Sequence, residues 1–526
     1  MPLLKLNSLG AQNINFDLEP CDLPANTLTS GTNYKLLNGK IRATNMSYTL
    51  ATPSANFKAG LIMSVLGESG NFYLLLGQNS PSGTQVAWVY NGTTWTDISQ
   101  VGAYTGIDVG DELLWTWCLL GNIPIVNNVQ DYPAYWSPQQ TAQKLQPLNF
   151  KVGQTWQAKG LSAKVVRSHK NFLFAINLQL SGVIQATSYR WSHPADINGL
   201  PYTWDETDLS AIAGIASVGG DMGDLVDGMT LRDNFMLYSQ RGISSLSYVG
   251  GEFVWASNVL TTSYGLLAKN CVVESKGYHY FLSNGDILKT DGNSLVSVLH
   301  NQMQTQLAGN IDTIYYANSF AFANPITEEI WFCIPQTGHT LPNIAFVINT
   351  QDNLVSMRSI PNTTTGLNFG PNLQVPILWS NVLGGWDENA NNWTYDPTSI
   401  FSRTIVSTNN VNSSIISLEL DDATTTQNTL LERLSFPVEG QEVVTTTQSV
   451  FPHIVSQEPV LIQLGSQQFV AGPIAWKPPV SFDPNTMRKV DIRTTGKLLS
   501  WRIYSTGTLP FTLTGLDIQY VVNGLR

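Results

Sequence analysis

The stretch Tyr278-His279-Tyr280-Phe281-Leu282, Asn284-Gly285, Ile287-Leu288-Lys289, Asp291-Gly292 decides the fold. An apolar, β-prone run meets an Asn-Gly pair, a second run follows, and an Asp-Gly pair ends it. Asn-Gly and Asp-Gly between such runs are strong hairpin signals, because tight turns call for positive φ, which Gly adopts without a steric penalty. The phrase recurs along the chain. Phe72-Tyr73-Leu74-Leu75-Leu76 ends at Gly77, and Val86 to Tyr90 meets Asn91-Gly92 before Thr94 to Ile98. Phe235 to Tyr238, Arg241-Gly242, Ile243 to Val249, Gly250-Gly251 and Phe253-Val254-Trp255 read as a three-stranded meander. Ile330 to Ile334 and Ile344 to Ile348 are a further pair. Helical spacing is confined to Leu295–Leu307, which predicts a short helix there. Many short strands with turns every 8–12 residues indicate a sandwich, barrel or propeller, and a four-strand rhythm of about 40–50 residues favours propeller blades. The expected fold class is all-β: a β-propeller-like core with a loop-rich insertion and a C-terminal β region.

Working outward, residues 51–360 form the expected propeller-like core. Residues 1–50 are irregular and polar, as in an arm or docking segment. Residues 361–445, with Asn362-Thr363-Thr364-Thr365-Gly366, Gly384-Gly385-Trp386 and Thr424-Thr425-Thr426-Gln427, read as a loop-rich insertion placed for a tip or a fibre dock. Residues 446–526 alternate again, through Val490 to Arg493, Leu499 to Tyr504 and Leu516 to Val522, as a β region able to complete the propeller.

The 526-residue chain is polar without being ionic: charged residues are 12%, half the usual share, while Trp, Tyr and Phe number 15, 19 and 20. That composition excludes intrinsic disorder. Lys and Arg total 27 against 38 Asp and Glu, a net charge of −11, which argues against a dedicated nucleic-acid binder. It suits a wall that DNA must pass without sticking. The opening Met1-Pro2-Leu3-Leu4-Lys5 turns polar too soon for a signal peptide, and the longest apolar run, near Leu113 to Leu120, is too short to span a bilayer.

Chemistry is sparse. Cys21, Cys118, Cys271 and Cys333 are scattered and read as small buried hydrophobes. No two of His169, His193, His279, His300, His339 and His453 lie close enough for a local metal pair. Gly67-Glu68-Ser69-Gly70 has the wrong spacing for a nucleophile elbow, and Gly496-Lys497-Leu498 is no phosphate loop. Asp387 to Asn392 starts like a calcium loop, but Asn392 and Thr398 stand where Gly and an acid are needed. Arg190, Arg232 and Arg241 are the candidates for a sialidase-type arginine cluster, without the accompanying aspartate box. Glu206 with Asp208, Glu328 with Glu329, and Asp421 with Asp422 are acid pairs, read first as solvated loops. Trp386 and Trp393 are the candidates for a sugar groove. No catalytic, cofactor-binding or metal-binding residue is assigned, and no enzyme activity is expected.

One stretch is more specific. Ser188-Tyr189-Arg190-Trp191-Ser192-His193-Pro194-Ala195-Asp196 is followed by Trp204-Asp205-Glu206-Thr207-Asp208, Val226-Asp227-Gly228, Leu231-Arg232-Asp233-Asn234-Phe235 and Tyr248-Val249-Gly250-Gly251. Near the end stand Arg493-Thr494-Thr495-Gly496-Lys497, Trp501-Arg502-Ile503, Leu513 to Asp517 and Gly524-Leu525-Arg526. Over roughly residues 165–300 and 488–526 this resembles the tail tube or nozzle proteins of short-tailed bacteriophages. The resemblance implies a propeller-containing virion subunit, six copies of which form a tube below the portal and adaptor rings. That tube holds the genome and conducts it at ejection. It further implies contacts with adaptor proteins and tail fibres or spikes, assembly in the host bacterial cytoplasm, and a final place in the virion tail. The lumen is then expected to be lined by acidic and neutral polar residues, with Asp221, Asp224 and Asp227 as candidates beside their alternative role of capping turns. The competing reading is a carbohydrate-binding or sugar-cleaving propeller acting in receptor recognition.

Overall fold

The computed structural model describes residues 2–44, 47–53, 57–67, 70–79, 84–100, 115–128, 132–137, 144–197, 199–251, 253–325, 327–368, 370, 406–409, 414–418, 428–505 and 509–525. Among them the strands form seven four-stranded antiparallel sheets arranged as a propeller, and two six-stranded sheets beside it. Blade 1 consists of Phe57–Gly67, Gly70–Asn79, Gln85–Tyr90 and Trp95–Asp97. Blades 2 to 6 start at Trp115–Leu120, Leu161–His169, Leu225–Leu231, Val272–Ser275 and Phe320–Asn324. Blade 7 takes Thr363–Gly366, Val406–Asn409 and Ser414–Ser417, and its outermost strand is Tyr48–Ala51 from the N-terminal part of the chain. Each first strand packs on the first strand of the next blade, and Thr363–Gly366 returns to Phe57–Gly67, so the ring closes. The fold class expected from the sequence is the one observed.

Position in a blade explains which sequence runs look most apolar. A second strand is covered by a neighbouring blade on each face, so it reads as an unbroken hydrophobic run rather than an alternation. Glu329–Ile334 is buried at all six positions and Phe172–Leu180 at its first seven. Outermost strands face solvent, as in Trp255–Thr261.

The hairpins occur where the turn residues put them, with different local chemistry. Ser283 pairs with Asp286, leaving Asn284-Gly285 as a two-residue turn in which only Gly285 takes positive φ, 78°. Asn91 and Asp291 instead open four-residue loops. Asn91 Oδ1 accepts from the amides of Thr93 and Thr94 at 3.0 and 2.8 Å, and Asp291 Oδ1 from those of Asn293 and Ser294 at 2.9 and 2.8 Å. The meander's last strand is Trp255–Thr261, because Gly250 and Gly251, at φ 69° and 67°, carry the turn as far as Val254.

The expected helix needs correction. Leu295–Ser297 is the outer strand of blade 5, paired with Leu288 to Thr290, and the helix is Gln304–Asn310. A free strand edge outweighed the weak 3.6-residue periodicity. The Asp17 carboxylate accepts from the amides of Gln304 and Thr305, both at 3.1 Å, satisfying two donors that a helix start leaves open.

The boundaries at both ends of the chain also differ from the sequence reading. Residues 1–50 are not an arm: Leu3–Asn7, Ser30–Thr32, Tyr34–Leu37 and Lys40–Ala43 are strands of the two large sheets. Their partners are Thr429–Pro437, Val443–Val455, Val460–Gln467, Leu498–Ser505 and Thr512–Leu525. The C-terminal region therefore does not complete the propeller. The two sheets share a core of their own, with Tyr34, Ile41, Leu431, Ile462, Trp501, Ile503, Leu516 and Ile518 among its buried members. The expected insertion falls partly outside the described residues, including 371–405 and 419–427. Its described strands are three of blade 7, Thr429–Pro437 and the start of Val443–Val455. A ring must hide its last edge, and the Tyr48–Ala51 strand does so here.

The sandwich leans on blade 6. Asn13 Oδ1 accepts from the amide of Val355 at 2.6 Å, Asn33 Oδ1 accepts from that of Ser359 at 2.7 Å, and the Asn33 amide donates to Met357 O at 3.0 Å.

Candidate functional site

The first strands of the blades turn one edge toward the propeller axis. There they line an open cavity of about 300 Å³ reached from all seven blades, by Leu61, Trp117, Arg167, Thr230, Val272, Phe320 and Thr365 among others. One charged assembly dominates it. Arg167, in blade 3, donates from Nε and Nη2 to the two carboxylate oxygens of Asp227 in blade 4, both at 2.8 Å. Its Nη1 donates to Trp117 O of blade 2 at 2.7 Å, and its Nη2 also donates to Asn270 Oδ1, before blade 5, at 2.7 Å. Asp227 is fully buried and takes two backbone amides as well, Gly228 at 2.7 Å and Asn270 at 2.8 Å. Asn270 reaches this position in the left-handed region, at φ 60°, which Asn tolerates better than most residues. Burial works against the Arg167 charge, but the Asp227 carboxylate outweighs it and holds the guanidinium proton more firmly than usual. Fork and carboxylate are satisfied on both sides, so the assembly fastens four blades together.

Asp227 was a candidate for a free lumen acid, and the structure corrects this. Its carboxylate is buried on Arg167. Asp221 is exposed in a short turn, and Asp224 is half-buried where the chain enters blade 4.

A second polar chain runs from blade 3 to blade 5. His169 Nδ1 meets Thr230 Oγ1 at 2.9 Å, and Thr230 O accepts from His279 Nε2 at 2.8 Å. His279 Nδ1 meets the Tyr238 hydroxyl at 2.8 Å. Phe174, Phe235 and Trp255 pack round the His169 ring. Burial pushes both imidazoles down, to about 4, so each is neutral at neutral pH.

The arginine candidates do not converge. Arg190 lies on blade 3, pairs with both oxygens of Glu206 and donates to Trp204 O at 2.8 Å. Arg232 sits in the turn between the first and second strands of blade 4, and Arg241 in the turn between its second and third strands, at opposite ends of the strand between them. The acid pairs separate too. Glu206 is held by Arg190, while Asp208 Oδ1 accepts from the Ser210 amide at 3.0 Å. Glu328 pairs with Lys276 at the surface, whereas Glu329 is buried against Arg358, which lies over the Trp331 ring. Trp386, Trp393, the Asp387 loop, Asp421 and Asp422 lie outside the described residues.

Cys118, Cys271 and Cys333 are buried, Cys21 is half-buried, and no disulfide joins any two of them. Burial pushes the Cys118 thiol up to about 12. Among the described residues, no group of three or more His, Cys, Asp or Glu side chains is placed to hold a metal ion. No described helix is long and apolar enough to cross a membrane.

The stretch that carries the family resemblance is architectural. Trp204 is fully buried and meets Trp156 edge-on at 4.9 Å. Trp191 donates from Nε1 to Ile212 O at 2.7 Å, and its ring fills the space that a side chain on Gly214 would need. Asp205 Oδ1 accepts from the Thr207 amide at 3.1 Å, and its other oxygen pairs with Lys151 at 3.0 Å.

No protein-family model matches this chain, and no curated protein does either. Several solved structures resemble it at low identity. An exo-β-1,3-galactanase from Phanerochaete chrysosporium is 8% identical, with TM-score 0.31, covering 91% of this chain and 99% of that one. The CNH domain of AfRom2 is 8% identical, with TM-score 0.36, covering 71% and 99%. The Pan2 WD40 domain from Neurospora crassa is 8% identical, with TM-score 0.37, covering 72% and 96%. Likenesses this distant carry no argument about ligand or reaction. What the chain's own strand pairing establishes is a β-propeller joined to a sandwich made from both ends of the sequence.

Proposed function

We propose that this chain is a structural subunit of a short-tailed bacteriophage tail, a nozzle protein whose copies form a ring or tube through which the genome leaves. The observation that carries the reading is the use made of the resembling stretch. Arg190, Trp191, Trp204, Asp205 and Asp227 are spent on packing, capping and fastening blades. That is what a mechanical part asks of its most distinctive residues. The propeller's own axis is no conduit for DNA. Its cavity of about 300 Å³ is far too small for a duplex whose major groove alone is about 12 Å wide. The lumen must therefore lie between copies, and the net charge of −11 per chain would keep its wall from gripping phosphate.

The competing reading, a carbohydrate-binding or sugar-cleaving propeller, needs two acids across a bound sugar. Among the described residues of the propeller, the buried acids Asp227 and Glu329 are each committed to an arginine, and Asp312 accepts from the amides of Ile314, Tyr315 and Gly338. Imaging of the assembled protein, with glycan binding measured on the same sample, separates the two. Closed six-fold rings without glycan retention are expected. A monomer or trimer that retains glycans would replace this reading with the other.

A further inference from the structure

The propeller and the sandwich carry very different charge. Residues 48–427 hold 15 Lys and Arg against 28 Asp and Glu, whereas the remainder holds 12 against 10. Two exposed features concentrate that difference. On the sandwich, the hairpin between Val460–Gln467 and Ala475–Trp476 borders a cavity of about 410 Å³, rimmed by Lys477 and Arg493. Among the described residues neither cation has a carboxylate within ion-pair distance, and the hairpin tip exposes Phe469 and Val470, at 63% and 43%. The tip is held in shape. Gln467 Nε2 donates across it to Gly472 O, and the Gly472 amide donates to Phe469 O at 3.0 Å. An uncovered aromatic beside an arginine is a pairing that interfaces favour, with Lys477 suited to the polar rim.

The complementary feature lies on blade 3, in the long connection before its outer strand. Ile197 and Leu209 are the most exposed large apolar residues of the described chain above Val152, at 91% and 102%. Each directly follows an acid, Asp196 and Asp208, that has no cationic partner within ion-pair distance among the described residues. The other two acids of this connection are already taken, Asp205 by Lys151 and Glu206 by Arg190. Two acid–apolar pairs thus face outward on the propeller, and two cations with two apolar groups face outward on the sandwich.

We infer that Asp196-Ile197 and Asp208-Leu209 of one copy dock on the Phe469, Val470, Lys477 and Arg493 notch of a second copy. The two patches differ, so the contact is heterologous. Repeated contacts of this kind generate a ring when the rotation closes. The inference rests on the proposed multi-copy function and names the surfaces that would join the copies. Desolvating the apolar pairs would hold the contact, and the opposite charges would set its register and its salt dependence.

The test uses the full chain and its mass distribution over a concentration series. Wild type is expected to self-associate, at least about tenfold more weakly in high salt than in low salt. K477E/R493E and D196K/D208K should each lose that association while keeping the wild-type melting temperature. Mixed together, they should recover it, because an acidic notch then meets a basic loop. Leu209→Ser supplies an arm that leaves charge alone, and should weaken association about tenfold or more. If both charge variants still associate like wild type, or the mixture fails to recover, the assigned contact is wrong. If six-fold rings persist in those variants, the contact falls and the nozzle reading stands. A wild type that remains monomeric at every concentration and binds glycans would overturn both.

Discussion

The propeller and the sandwich solve the same problem, hiding strand edges, by opposite use of the chain. Within blades 1 to 6, partners are sequence neighbours: Ser283 pairs with Asp286, and Leu231 with Asn234. In the sandwich, Ser30–Thr32 pairs with residues around Glu432, and Leu3–Asn7 with residues around Leu516. Local pairing closes small loops at little entropic cost, while the sandwich must close one of about four hundred residues. Six blades can therefore form from hairpins in succession, whereas blade 7 and the sandwich are complete only when strands from distant parts of the chain meet. Their buried arginines differ in the same spirit. Arg167 has a carboxylate, Asp227. Arg433, buried in the sandwich over the Phe436 ring, donates to the carbonyls of Leu434, Leu23 and Pro24, has no carboxylate within ion-pair distance among the described residues, and is pulled down to about 10 by burial.

The largest expected effect tests independence. Deleting residues 1–43 removes four sandwich strands but keeps Tyr48–Ala51. The sandwich should lose its entire folding free energy, typically about 5–15 kcal/mol for a domain, while the propeller survives. Calorimetry should show one transition fewer, and proteolysis should trim the C-terminal part. Deleting residues 1–53 should loosen blade 7 as well. If the shorter deletion unfolds the propeller, the two bodies are one cooperative unit.

Next comes the blade fastener. Asp227→Ala leaves Arg167 buried and uncompensated, which should cost about 3–5 kcal/mol, seen as a lowered midpoint of the propeller's denaturant transition. A loss under about 1 kcal/mol would mean that water reaches Arg167.

Acid should then separate the two bodies. His169 and His279, both in the propeller, are held neutral down to about 4, whereas an unfolded histidine protonates near 6.5. As pH falls from about 6.5 to 4, the unfolded chain binds protons that the folded propeller refuses, so stability is lost across that window. For His279 alone the loss is on the order of 3 kcal/mol. The sandwich's one histidine, His453, is exposed. A melt followed against pH should show the propeller falling first, with His279→Gln flattening its slope. Parallel decline of both transitions would contradict this assignment.

Arg433→Met should cost the sandwich about 1–3 kcal/mol, because it removes donors from buried carbonyls without stranding a charge. A cost as large as that of Asp227→Ala would erase the distinction drawn between the two arginines. The smallest effect belongs to the surface pair Lys489–Asp491, 2.9 Å apart. Lys489→Ala should shift stability by under about 1 kcal/mol, measured by denaturant titration.

What could be read beforehand follows from locality. The runs at Phe72, Phe235, Tyr278 and Ile330 all became second strands, buried between blades, where hydrophobicity is continuous and hardest to miss. The N-terminal strands read as an arm, and the C-terminal β region as able to complete the propeller, because their partners lie across the whole sequence; Asn38-Gly39, at φ 51° and 74° between Tyr34–Leu37 and Lys40–Ala43, is a hairpin signal that marks the local pair but not the sheet it joins. The site was less legible still. Arg167 and Asp227 stand 60 residues apart and meet only because blades 3 and 4 abut. Each nonetheless interrupts a first strand of mostly apolar or small residues, Leu161–His169 and Leu225–Leu231. Asp227 is the one charge of its strand, while Leu161–His169 carries Lys164 as well as Arg167, so opposite charges in successive first strands are a clue that does not by itself pick out the pair.

The strand Tyr48–Ala51 has a consequence for synthesis in the cell. It leaves the ribosome early, and its partner Ser414–Ser417 follows some three hundred and sixty residues later. At about 5–20 residues per second, that is a wait of roughly 20–70 s with an open edge. Throughout it, six blades can stack but no ring can shut. The nascent chain is thus a spiral with one sticky rim, and it will need either dilution or a holding chaperone until its last blade arrives.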